Sequence, residues 1–152
     1  MANKKDQTQL CFNWDITHPS LREQIKMQVA SYQAQLINPA ISTQTILEAY
    51  SYFVHLLTMP KEEYDALELV YSVHMQIINC LTKVLVLLSY IDQEKFYFLA
   101  ELFFEHCEEL FSYFSGKEYD ELNQGTIGLI RSLYLNIMHK KNAQALKKNK
   151  TV

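Results

Sequence analysis

The sequence predicts an all-α fold, a single-domain bundle of about five antiparallel helices with an extended N-terminal arm. Apolar residues recur at three- and four-residue spacing over most of the 152 residues, and only 3 glycines and 3 prolines interrupt them. With 49% apolar residues, this composition excludes intrinsic disorder and a turn-rich β-sandwich. We divide the chain into a polar N-terminus with an apolar arm at 1–17, a helical bundle at 18–140 and a basic, flexible tail at 141–152.

The arm is predicted from a short alternating pattern near the N-terminus. Leu10, Phe12, Trp14 and Ile16 are separated by smaller or polar residues. Period two indicates an extended segment with one apolar face. No other segment offers an obvious strand partner, so we expect the arm to lie across helices of this chain, of a second subunit or of another protein.

Two helices are predicted after the arm. Ser20 and Glu23 form a capping box at the start of the first helix, and Pro39 ends it. The second helix begins near Ser42 or Thr43. The apolar face of the first helix comprises Leu21, Ile25, Val29, Tyr32 and Leu36, and the core stripe of the second comprises Ile46, Tyr50, Phe53 and Leu57.

The third predicted helix begins after Met59-Pro60 and runs to about Ile91, because proline suits the first helical position. The fourth is capped by Asp92 and reaches Ser115, with Gly116 as its C-terminal stop. A fifth helix is clear from Ile127 onwards. The apolar seam of the third comprises Leu67, Val70, Ile77, Leu81, Val84 and Leu88, and that of the fourth comprises Phe96, Leu99, Phe103, Cys107, Leu110 and Phe114.

Charge is distributed unevenly along the chain. Residues 40–125 carry 4 basic and 14 acidic side chains, whereas residues 126–152 carry 6 basic and no acidic ones, within a formal net charge of −3. The acidic middle repels phosphate backbones, so we expect no specific nucleic-acid partner. The longest uninterrupted apolar run is Val84–Leu88, from which we expect no membrane span.

Catalytic motifs are absent from the sequence. A carboxylate precedes a histidine by three residues only at Asp15 and His18, where the chain is not helical, and no HxxxH, GxSxG or P-loop pattern occurs. The chain has 3 cysteines without CxxC spacing and no signal-peptide pattern, which is typical of buried, reduced thiols in a cytoplasmic protein. We therefore predict no enzyme activity, no cofactor and no metal.

His74 is the titratable side chain that stands out, because it falls on the apolar seam of the third helix. It would be a ligand contact or pH switch, or a core histidine hydrogen-bonded to a neighbour.

Three features suggest an interaction surface. Phe12 and Trp14 belong to the arm; Phe98, Leu102 and Tyr113 lie at the margin of the acidic side of the fourth helix; Gly125, Gly128 and Ser132 fall on one side of the fifth. For the margin of the fourth helix, the alternative is that the fifth helix simply covers it. For the glycines, the alternative is that they only relax an irregular helix start.

These observations favour a non-enzymatic protein–protein interaction module, an adaptor, chaperone-like protein or inhibitor. It would bind a protein partner through the fourth and fifth helices and the arm, and the same surface suits a homodimer. The alternative is a helical bundle that binds a small apolar or aromatic ligand, with His74 lining the pocket.

Overall fold

A computed structural model describes residues 20–110 and 114–151. Most of these residues are helical and none of them lies in a strand, which confirms the all-α bundle. The predicted arm lies outside the described residues. The elements are α1 (Ser20–Leu36), α2 (Thr43–Leu57), α3 (Lys61–Ala66), α4 (Tyr71–Ile91), α5 (Gln93–Glu109), α6 (Gly116–Leu122), a π-helical turn (Asn123–Ile127) and α7 (Gly128–Thr151).

Helix α4 is the centre of the bundle, since it packs against α1, α2, α5 and α7. Its predicted seam residues Ile77, Leu81, Val84 and Leu88 are fully buried. By length and composition α4 is also apolar enough to cross a membrane, and 56% of its apolar window is buried in the bundle. A core helix of a soluble protein passes the same test, so length and composition do not distinguish the two roles for α4.

Two contacts and one short connection fix the directions of the helices around α4. The Arg22 guanidinium donates to the Leu67 carbonyl at 3.3 Å, and the Cys80 thiol lies 3.7 Å from the Val29 carbonyl. Arg22, near the start of α1, thus contacts a residue that precedes α4, and Val29, further along α1, contacts a residue within α4. The two helices α1 and α4 therefore run in the same direction. Asp92 alone joins α4 to α5, and these two packed helices therefore run antiparallel.

The helix predicted over residues 60–91 is wrong, because the chain breaks between α3 and α4. Glu68 has φ 51°, in the left-handed region that an α-helix of L-residues cannot continue through. Val70, predicted to lie on the apolar seam, is 61% exposed and precedes α4 as its N-cap residue. The break packs Leu67 and Leu69 into the core. It also sets α3 beside the first turn of α4, where the Tyr64 hydroxyl lies 3.0 Å from Nδ1 of His74.

The predicted end of the fourth helix at Ser115 is also wrong, although its apolar seam is confirmed as buried. Helix α5 ends at Glu109, and Gly116 begins α6 instead of stopping a helix. Ser115 Oγ accepts from the Glu118 backbone N–H at 3.1 Å, and the Glu118 carboxylate accepts from the Ser115 N–H at 2.9 Å. This capping box satisfies two amides that would otherwise be unpaired at a helix start.

The buried face of α2 is rotated from the predicted stripe. Tyr52 and Leu56 are buried, whereas the predicted Tyr50 and Leu57 are only half-buried. The Tyr52 ring lies 5.5 Å from that of Tyr32 and 5.3 Å from that of Phe53, between centroids. Aromatic packing between α1 and α2 therefore places Tyr52, instead of Tyr50, in the core.

The last helix has an irregular start, as the glycines suggested. The π-helical turn at Asn123–Ile127 separates α6 from α7. Helix α7 then continues to Thr151, so no change of secondary structure marks the boundary predicted at residue 141.

Candidate functional site

The outer side of α5 carries the candidate site. Asp92 caps this helix by accepting from the Lys95 backbone N–H at 3.2 Å. Phe96, Leu99 and Phe103 are fully buried and hold one side of α5 on the core. Because the helical period is 3.6 residues, this packing turns positions 94, 98, 101 and 105 outward.

These outward residues form an open groove of about 520 Å³. Phe98 is 52% exposed, and Leu102 beside it is half-buried. The structure thus brings together two of the side chains predicted to bind a partner, while the third, Tyr113, lies outside the described residues. The groove is lined by Glu94, Tyr97, Phe98, Glu101, Leu102 and Glu105.

Helix α7 supports one side of the groove. The Tyr134 hydroxyl donates to the Glu101 carboxylate at 2.7 Å, and this hydrogen bond raises the pKa of Tyr134. The Tyr134 ring lies 5.1 Å from that of Tyr97, edge to face. The Lys141 ammonium sits 5.3 Å from the centre of the Tyr97 ring. These contacts restrict the positions of Glu101 and Tyr97.

The charge of the groove is negative. Glu94, Glu101 and Glu105 are its charged lining residues, and no lysine or arginine is among the described residues that line it. Lys95, the residue after Glu94, lies 5.8 Å from the Tyr50 ring centre and 3.2 Å from the Asp92 carboxylate. The groove therefore combines exposed apolar surface with a row of carboxylates.

His74 occupies a different place, a buried polar cluster at the junction of α3, α4 and α5. Its Nδ1 lies 3.0 Å from the Tyr64 hydroxyl, which in turn lies 3.5 Å from Nε2 of His106. This is the core-histidine arrangement, with a tyrosine as the neighbour. Neither the α5 groove nor a depression of about 260 Å³ between α1 and α4 is lined by His74.

His106 is the member of this cluster that sequence reasoning missed. It is 6% exposed, and burial lowers its pKa to about 3, with a further lowering from His74. Burial also lowers the pKa of His74. Both imidazoles are therefore neutral at neutral pH. The available signal was the position of His106 three residues after the core residue Phe103, at the edge of the buried face.

The two described cysteines are expected to be unreactive in the folded chain. Cys80 and Cys107 are buried and unpaired in disulfides, as predicted. Burial raises the pKa of each thiol to about 12, which removes the thiolate that nucleophilic chemistry requires. Among residues 20–110 and 114–151, no three His, Cys, Asp or Glu side chains are grouped so as to hold a metal ion.

The small residues near the start of α7 are not among the described residues that line the groove. A Cβ added at Gly125 would meet no atom within 4 Å, so no described helix packs on this glycine. At Gly128 a Cβ would approach the Asn123 carbonyl oxygen to 3.1 Å, within the irregular turn itself. Ser132 is exposed. The predicted arm contacts Phe12 and Trp14 lie outside the described residues.

No family model, curated protein or solved structure matches this chain. Its class is accordingly defined by architecture: an all-α helical bundle with an acidic, partly apolar groove on one outer helix.

Proposed function

We propose that this protein is a non-enzymatic interaction module that binds a segment of a protein chain in the α5 groove. One observation carries the proposal: Phe98 stands 52% exposed in a groove that it shares with Leu102 and three glutamates. Aromatic side chains are enriched in the cores of protein interfaces, where they serve as anchors. The N-terminal arm, with Phe12 and Trp14, is the second part of the proposed surface.

The chemistry of the groove specifies the partner segment. Its apolar floor favours side chains spaced three or four residues apart on one helix face, as in helix-in-groove recognition. The carboxylates of Glu94, Glu101 and Glu105 favour lysine or arginine between them and oppose acidic segments. We therefore expect a basic, amphipathic helix to bind there.

The buried titratable groups support a binding role over catalysis. A general base works best with a pKa near the operating pH, and His106 at about 3 is far below it. Cys80 and Cys107, at about 12, are far above it. The unpaired cysteines also suit a reducing compartment, which is why we propose the cytoplasm as its location.

Site-specific photo-crosslinking tests this proposal. A photoreactive residue at position 98 should capture a protein through a segment rich in lysine or arginine and apolar residues, identified by mass spectrometry of the crosslinked peptide. The same residue at Met27, which is 71% exposed on α1, serves as the matched control. The proposal is wrong if both positions capture the same peptides.

Affinity for the captured partner gives a quantitative check. Phe98→Ala should remove about 2 kcal/mol of binding free energy, roughly 30-fold in Kd, because a partly exposed aromatic anchor becomes fully buried on binding. Leu102→Ala should weaken binding in the same direction, and Met27→Ala should leave Kd unchanged. Equal affinities for all three variants would contradict the assignment of the groove.

A further inference from the structure

We propose that the C-terminal half of α7 binds the surface of a membrane rich in anionic phospholipids, lying in the headgroup layer without crossing the bilayer. This inference goes beyond the proposed function and does not depend on the α5 groove. Three features carry it: the reach of α7, the separation of its exposed part into an apolar and a basic face, and its charge.

The first feature is that α7 extends past the helix beside it. Tyr134 lies beside Glu101. Lys141 lies over Tyr97, so α5 and α7 run antiparallel. At about 1.5 Å per residue, α7 continues roughly 15 Å beyond Lys141, whereas α5 continues only about 6 Å beyond Tyr97 to its start. Every residue from 138 to 147 is exposed, and a short helix without packing is marginal in water, so a surface that covers this part would stabilise it.

The second feature is that the exposed part of α7 is amphipathic. At about 100° per residue, Leu135 and Leu146 lie about 20° apart around the helix, and Met138 lies about 60° to one side of Leu135. These three side chains are 49%, 62% and 39% exposed, respectively. Ile130, which is fully buried, lies about 140° from Leu135, so the apolar face is turned away from the packed side of α7.

The face opposite these apolar residues is basic. It lies about 120–180° around the helix from Leu135 and comprises Lys140, Lys141, Gln144, Lys147 and Lys148. A helix with apolar residues on one face and lysines on the other is typical of segments that lie in the plane of a membrane surface. The long lysine stems let the ammonium groups reach the phosphate level while the apolar face enters the headgroup layer.

The third feature is the charge of this part of the chain. Residues 126–152 contain 6 basic side chains and no acidic one. Such a cluster on an amphipathic helix favours anionic headgroups, and each lysine near the surface strengthens attachment about fivefold. The glutamates of the α5 groove oppose contact between the bundle and anionic lipid, so we expect α7 to make the contact.

A lipid surface fits this face better than a nucleic acid or a protein groove. Proteins that bind single strands stack bases on aromatic side chains, and Tyr134, the one Phe, Tyr or Trp of residues 126–152, is hydrogen-bonded to Glu101. Asn142 lies on the apolar face, about 20° from Leu135. A dry protein groove would bury this amide away from water, whereas the headgroup layer leaves it hydrated.

Sedimentation of the full chain with lipid vesicles tests the proposal. The wild type should bind vesicles of equal parts phosphatidylserine and phosphatidylcholine, and added salt should weaken this binding. Vesicles of phosphatidylcholine alone should bind it at least about tenfold more weakly, because the lysines lose their anionic partners. Equal binding to both compositions, no binding to either, or tighter binding to single-stranded RNA than to the anionic vesicles overturns the proposal.

Substitutions on the apolar face test its insertion. Leu135→Gln with Leu146→Gln should weaken binding to the anionic vesicles at least about tenfold, because neither side chain then gains from leaving water. The matched control is Met27→Gln with Ile37→Gln, which changes two exposed apolar residues outside α7 and should bind like the wild type. Unchanged binding of the leucine variant would reduce the contact to charge attraction alone and overturn the proposal.

Substitutions on the basic face test the headgroup contact. Lys140→Gln with Lys148→Gln should weaken binding roughly 30-fold through the loss of two charges. Lys83→Gln with Lys117→Gln removes the same charge from exposed positions outside α7 and should have little effect. Equal losses in the two variants would show that only net charge matters, and the assignment to α7 would be wrong.

Hydrogen–deuterium exchange of the wild type does not depend on any variant. The anionic vesicles should slow exchange within residues 138–151 and leave α1 unchanged. No slowing, or slowing spread over the whole bundle, overturns the proposal. Phe98→Ala should leave vesicle binding unchanged, so failure of the lipid contact leaves the proposed function of the groove standing, and failure of the groove leaves the lipid contact standing.

Discussion

Lowering the pH should destabilise the fold through His106. This imidazole is enclosed by Tyr64 of α3 and His74 of α4, and its pKa in the folded chain is about 3, against 6.5 for an exposed histidine. Between these values the unfolded chain binds a proton that the folded chain excludes. The stabilising effect of a neutral His106 is therefore complete above about pH 6.5 and is lost progressively as the pH falls towards 3.

The magnitude follows from the pKa difference. At about pH 5 the unfolded histidine is protonated and the buried one is not, and about 1.5 pH units at 1.36 kcal/mol per unit amount to roughly 2 kcal/mol. The lowered pKa of His74 acts in the same direction.

Urea unfolding, followed by circular dichroism at about pH 7.5 and about pH 5, measures this effect. His106→Gln keeps a polar side chain of similar size but removes the titration. From about pH 7.5 to about pH 5, the free energy of unfolding should decrease in both proteins. The decrease should be about 2 kcal/mol smaller for His106→Gln than for the wild type. His139→Gln, at an exposed position of α7, should behave like the wild type. An equal pH-dependent loss in wild type and His106→Gln would refute the reasoning.

Further predictions concern the helix boundaries and the core. Glu68→Gly should raise the free energy of unfolding by up to about 1 kcal/mol in urea titrations, because glycine adopts φ 51° without strain. Ser115→Ala should lower it by about 1 kcal/mol, seen as a fall of roughly 2–4 °C in Tm, because the α6 capping box is lost. Phe103→Ala should cost about 3–5 kcal/mol by leaving a cavity in the fully buried core, again measured in urea. Cys80 and Cys107 should resist alkylation in the native chain and react only after unfolding, as peptide mapping would show.

Local patterns were sufficient wherever one helix face determines burial. Ile25, Val29 and Tyr32 of α1, and Phe96 and Phe103 of α5, are buried as their spacing predicted. Helical period alone sets the direction in which each of these side chains leaves its own helix. The same helical period predicted that Phe98 and Leu102 lie outside the buried face of α5, although both are apolar.

The residues at which helices begin and end were harder to predict from the sequence. The apolar spacing continues across Glu68, so nothing in the pattern shows that this residue is left-handed. At Ser115 and Gly116 two local rules conflicted, a glycine stop and a serine–glutamate capping box. The structure follows the capping box, because its side chains satisfy backbone amides at the start of α6.

The sequence by itself determined the helical class, the buried faces of α1 and α5, and the separation of acidic and basic regions. Only the tertiary structure decided which side chains meet. Tyr134 holds Glu101 from 33 residues away, and Tyr64 reaches His106 across 42 residues. Periodicity specifies where a side chain points relative to its own helix axis. The neighbour that occupies that direction depends on how the helices pack around α4, and this packing shapes both the acidic groove and the buried histidine cluster.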